Sequence, residues 1–138
     1  MASAFNKFYC FTADVHNGVH NLSSNQLAIA LTPAANPPVV TNTVLANLSV
    51  IAYTNLSTRN VTTTSSTQSL GVYKLICQDL TLTASGAVAT FRYVILYNST
   101  AAGSPLIAWW DYGADVTMAS TETFLIDFDQ ANGVFSET

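Results

Sequence analysis

The segment that most constrains the fold is Ala89 to Tyr97, ATFRYVILY, a run dense in aromatic and β-branched residues. Such side chains pack well on a pleated surface and lose rotamer freedom in a helix, so the run predicts a strand that is largely buried. Shorter segments of the same kind surround it from Asn60 onward. They are Val61 to Ser66, Gly71 to Cys77, Leu80 to Thr83, Leu106 to Tyr112 ending at Gly113, Val116 to Met118, Thr123 to Asp129, and Val134-Phe135. Asn132-Gly133 between the last two is the dipeptide favoured in two-residue hairpins. Short strands spaced by roughly 8–12 residues, with Gly, Asn and Ser between them, predict a mainly β fold, an antiparallel sandwich or barrel. A chain of 138 residues is long enough to bury such a core as one domain without metal or disulfide staples.

The N-terminal part reads differently. Phe5, Phe8, Val15, Val19 and Leu22 recur at helical spacing, which predicts a short helix from Ala4 to about Val15 with Ser3 as its N-cap. Gly18 and the neighbouring asparagines weaken any continuation. Gln26 to Leu31 then alternates, with Leu27, Ile29 and Leu31 on one face of a strand, and the β domain is expected to run from about residue 26 to 136. Thr32 to Pro38 contains three prolines and is read as a loop. Val44 to Ala52 fits either a helical turn or an irregular edge.

Charge excludes several functions. Only 9% of residues are charged, with four Lys and Arg against eight Asp and Glu. No basic stripe exists to neutralise phosphates, so nucleic acid is not an expected partner, and no polybasic patch exists for an anionic membrane. No apolar run approaches the ~18 residues of a membrane span. Met1 to Lys7 lacks the basic and apolar regions of a secretory signal. The sequons at Asn21, Asn47, Asn55, Asn60 and Asn98 are then expected to be chance products of an Asn/Ser/Thr-rich composition, and would mark glycosylation only in a secreted chain. Ser, Thr, Asn and Gln fill the polar positions, and these can enter a protein interface without the desolvation cost of an ion.

Residues that carry chemistry are sparse. His16 and His20 stand four apart but have no third ligand near them in sequence. Asp127 and Asp129, helped by Asp111, have the chemistry for a hard cation, yet they also alternate with Phe124, Ile126 and Phe128 as outward polar positions would. Cys10 and Cys77 lack metal-site spacing and are expected as free, buried thiols, with a disulfide between them the alternative for a mature particle outside the cell. No nucleophile elbow, phosphate loop or dinucleotide fingerprint is present. No catalytic residue, metal or cofactor is expected.

Pro105 to Gly113, PLIAWWDYG, is the unusual stretch. Adjacent Trp109 and Trp110 in one strand must point to opposite faces. One is expected to fill the core, and the other to face solvent, a second sheet or a partner. An exposed Trp beside Tyr112 suits an interface anchor or a sugar-stacking platform; alternatively, both faces are buried within a sandwich. Asn36-Pro37-Pro38 and the Thr-rich Thr62 to Thr67 lack charge and are further candidates for a docking surface.

Phe91 to Gly113, FRYVILYNSTAAGSPLIAWWDYG, with the Thr123–Phe128 segment and Asn132-Gly133-Val134, resembles a family of small virion proteins of tailed bacteriophages. The aromatic N-terminal segment, Gly18-Val19-His20-Asn21-Leu22 and Leu27 to Thr32 extend the resemblance over most of the chain, with Pro33 to Thr67 the least similar part. The resemblance implies a structural, non-enzymatic role at the capsid surface. A decoration or cement protein is the expected form, bridging copies of a major capsid protein or other virion proteins and self-associating, with a trimer as the expected state. A tail-tip or fibre-associated module that binds a host glycan, and a tail-tube or head–tail connector subunit, are the alternatives.

Overall fold

The computed structural model describes residues 4–137. The fold is mainly β, with three antiparallel sheets and one short helix. In chain order the strands are β1 (Asn6–Lys7), β2 (Leu27–Thr32), β3 (Asn60–Val61), β4 (Thr63–Ser69), β5 (Val72–Cys77), β6 (Leu80–Thr83), β7 (Val88–Asn98), β8 (Leu106–Met118), β9 (Thr123–Ile126) and β10 (Phe135–Glu137). Helix α1 (Tyr9–His16) follows β1, and a 3-10 turn covers Leu45–Asn47. The main sheet has the order β1-β8-β7-β2-β3, a second sheet β10-β5-β4, and a third β6-β9.

The main sheet is buried on both faces, which explains why β2 has no exposed residue at all. Leu27, Ile29 and Leu31 on one side join Val94, Leu96 and Ile107, and the two small sheets close over them with Leu75, Cys77, Leu82, Phe124 and Ile126. On the other side Ala28 and Ala30 leave room for Phe8, Ile95 and Leu106, covered by Cys10, Leu45 and Leu48. The alternating large and small side chains of LAIALT therefore match a thick layer on one face and a closely approaching loop on the other. The predicted one-face reading of this strand holds for the large residues, while the small ones are core as well.

Three expectations are corrected. The helix starts at Tyr9, because Asn6 and Lys7 are extended and pair with Trp109 and Ala108 on the edge of β8. Phe8 at the N-cap position is extended and fully buried, so the helical spacing from Phe5 to Phe8 is coincidental. The expected cap, Ser3, lies outside the described residues. The end of α1 is a Schellman turn: Val19 N–H bonds to Asp14 O and Gly18 N–H to Val15 O, with Gly18 left-handed. Secondly, β8 does not stop at Gly113 but continues to Met118 through register shifts against β7. Thirdly, Asn132-Gly133 makes no hairpin. β9 pairs with β6 and β10 with β5, so the chain changes sheets between them. Asp129 holds this corner by accepting bonds from Ala131 N–H, Asn132 N–H and Asn132 Nδ2.

The long connection from β2 to β3 supplies both alternatives read for Val44–Ala52. Leu45–Asn47 is a 3-10 turn held by the Asn47 side chain, and Val44 bridges to Pro105. Further on, Ile51 N–H bonds to Leu31 O, the Tyr53 hydroxyl accepts from Leu31 N–H, and Arg59 donates to Ile29 O at 2.8 Å while lying 3.5 Å over the Tyr53 ring. That edge of β2 is thereby closed.

Candidate interface surfaces

Trp109 and Trp110 point to opposite faces, as adjacent strand residues must, but neither is a free anchor. Trp109 packs on Phe8 with ring centroids 4.6 Å apart. Trp110 meets Phe5 at 5.7 Å and Phe128 at 6.1 Å, both edge to face. Each is partly buried against its own side of the sheet. Of the aromatic candidates Tyr112 is the exposed one, its ring edge-on to Phe124. Pro37 is exposed, whereas Pro38 is buried and cannot dock on a partner; Val39 takes the exposed position beside it.

The chemistry-bearing residues are dispersed. Asp111 forms a two-pronged pair with Arg92, at 2.8 and 3.1 Å, and this guanidinium holds its carboxyl below the usual carboxylate range. Asp129 is held low by the N–H groups of its corner. Asp127 and Asp129 are outward and exposed, as their alternation predicts. No three His, Cys, Asp or Glu side chains converge on a cation position among the described residues. His16 is exposed and His20 buried, so the two do not form a pair of ligands. Cys10 lies on the loop-covered side, with Sγ directed at the Asn42, Thr43 and Leu106 carbonyls, while Cys77 lies in the core beneath the small sheets. Both thiols are free, Cys77 buried as expected but Cys10 only partly so, and burial pushes both upward in pKa.

His20 belongs to a network centred on Asn98, which is fully buried. Asn98 Oδ1 accepts from Thr100 and Ala101 N–H, so its Nδ2 must donate, to Asn25 Oδ1 and to His20 Nδ1. The proton of neutral His20 is then on Nε2, which is buried with no partner. Desolvation pushes the His20 pKa down, against the pull of Asp14. Burial also removes Asn98 from the set of accessible sequons.

Two concave regions stand out. A small cavity of about 180 Å³ lies between Phe5, Trp110, Phe128 and Val134. A wider groove of about 640 Å³ runs between α1 and the β10-β5-β4 sheet, floored by Phe11, Val15, Leu22, Tyr73 and Phe135. His20, Ser23, Ser66 and Glu137 stand around it, and the Tyr73 hydroxyl is 2.7 Å from Ser66 Oγ.

The exposed surface of β4 is where the Thr-rich candidate segment becomes specific. Strand β4 is the outer strand of its sheet, and TTSSTQS contains no charge and no proline. Among the described residues no backbone bond from another segment covers its outer edge. Sequence reasoning missed its turn. Leu70-Gly71 is a two-residue hairpin loop with both φ positive, 51° and 80°, and Leu70 is 100% exposed. The available signal was a Leu-Gly dipeptide between alternating segments, at a site where Asn-Gly is the expected chemistry.

No protein-family profile, curated protein or solved structure matches this chain.

Proposed function

We propose that this protein is a non-enzymatic virion structural protein that decorates the capsid of a tailed bacteriophage, bridging neighbouring capsomers. The observation that carries this reading is the open outer edge of β4. A freely diffusing β protein blunts its edges with Lys, Pro, bulges or very short strands. Here β1, β3 and β10 are short and the edge of β2 is closed by Arg59 and Tyr53, whereas β4 has a single irregularity between Thr63 and Ser65, and Ser65–Ser69 stay open and uncharged. Such an edge suits a strand or loop of a capsid protein added by main-chain hydrogen bonds. The low charge and the resemblance of Phe91 to Gly113 to phage virion proteins support the same reading. Each contact can be modest, because a shell presents many sites at high effective concentration.

A second reading has one observation in its favour: Tyr112 is exposed on the same face of β8 as Trp110, a surface on which a host glycan could stack. Copy number per particle, measured by quantitative gel densitometry of purified virions, separates the roles. Decoration gives copies in proportion to capsomers. A count in single or low double figures contradicts it and favours a tail or connector position.

A further inference from the structure

Residues 18–25, between α1 and β2, are tied to the sheets through a single group. Among the described residues, their hydrogen bonds to any strand all come from Asn98 Nδ2, which donates to Asn25 Oδ1 and to His20 Nδ1. The other bonds of the segment are local. Gly18 and Val19 N–H close the end of α1, and Asn21, Ser23, Ser24 and Asn25 bond among themselves. Both ends are fixed: Gly18 by its left-handed turn, and Gln26 by bonds with Ser99 and Thr100.

Asn98 cannot adapt to a charged His20. Its Oδ1 is pinned by Thr100 and Ala101 N–H at 3.0 and 3.1 Å, so a turned-over amide would set donors against donors. It would also bring Oδ1 against Asn25 Oδ1. His20 Nδ1 therefore faces an N–H donor and can accept from it only while unprotonated. An imidazolium would have no acceptor at Nδ1, and Nε2 has no partner either. Such a buried cation is costly, whereas outside the interior both N–H groups meet water. Around the ring, Asp14 of α1 acts on it, His16 is exposed, and Glu137 of β10 and Tyr73 of β5 line the adjoining groove. Residues 21–26 and 99–105 bring no ionisable side chain, and Arg92 of β7 is paired with Asp111.

We propose that residues 18–25 form an acid-released latch: protonation of His20 breaks its bond to Asn98, and the segment leaves the end of β7 while β2 and β7 stay paired. Release takes His20 from the Phe11 ring, 5.2 Å away, and lifts Leu22 from the groove beside α1. The closed form resists a proton that the open form accepts, so the open fraction rises as pH falls below about 6.5. The latch does not rest on the virion reading.

Amide hydrogen exchange between pH 7 and 5, corrected for the intrinsic pH dependence of exchange, tests it. Protection at Asn21, Ser24 and Asn25 should fall by up to about tenfold per pH unit below 6.5. At each pH it should stay below that of Leu27–Thr32, because the latch opens without the sheet. His20→Gln, which stays neutral, should make protection of the segment independent of pH. His16→Gln changes only an exposed ring and should behave as the parent. Protection indifferent to pH in the parent, or equal to that of Leu27–Thr32, would overturn the proposal. So would a pH dependence that survives His20→Gln or disappears in His16→Gln.

Discussion

Among the described residues two buried side-chain polar atoms lack partners, and each has a measurable consequence. Thr32 is fully buried at the end of β2 and its hydroxyl makes no hydrogen bond. Replacing it with the isosteric Val removes an unsatisfied group without a cavity, so Thr32→Val should raise stability by about 1 kcal/mol in a denaturant titration. His20 leads to a pH dependence. Its folded pKa lies below the unfolded value of about 6.5, so folded and unfolded states are both neutral above that value. Below it the unfolded chain takes up a proton that the folded chain resists, and stability falls towards the depressed folded pKa. Urea midpoints between pH 7 and 5 should drop in the parent and flatten in His20→Asn. Equal slopes in the two proteins would remove His20 as the cause.

At the scale of elements, the corner at Gly133 shows best what a sequence can and cannot convey. Asn132-Gly133 announces a turn correctly, and Gly133 has φ 84°. Which strands a turn joins is decided by partners distant in sequence: Phe135 pairs with Leu75, and Thr123 with Thr83. A Cβ at Gly133 would lie 2.6 Å from Leu75 O, so the glycine serves close backbone approach as well as its φ. Gly133→Ala should cost about 2 kcal/mol or more and loosen β10, read as lost amide protection at Phe135–Glu137. Strands with strong local composition, such as β7 and β5, were legible for the same reason that the corner was not: their signal is in their own side chains. The start of α1 was misread because pairing of Asn6 and Lys7 with β8 overrides local helical spacing. The exposed candidates divided likewise. Tyr112 and Pro37 are exposed, but burial of Pro38 and the packing of both tryptophans depend on segments that periodicity does not see. Leu70 escaped notice because its meaning lies in backbone strain.

Over the whole molecule, apolar burial and neutral hydrogen bonds hold the fold, with one ion pair, Arg92–Asp111, among the described residues. That pair is partly exposed and contributes little. The same economy of charge governs how the surface can attach. With Lys7, Arg59, Lys74 and Arg92 as the cations, and two of these already engaged within the chain by Ile29 O and Asp111, ionic contacts cannot dominate a docking face. Main-chain bonds along β4 and apolar contacts must carry it, and these are not screened by salt as exposed charges are. The most direct measurement is titration of the purified protein onto phage heads assembled without it, at low and high sodium chloride. Saturable binding at a multiple of the capsomer number, with occupancy nearly unchanged between the two salts, is the predicted result; absence of binding, or occupancy that collapses at high salt, would contradict the account.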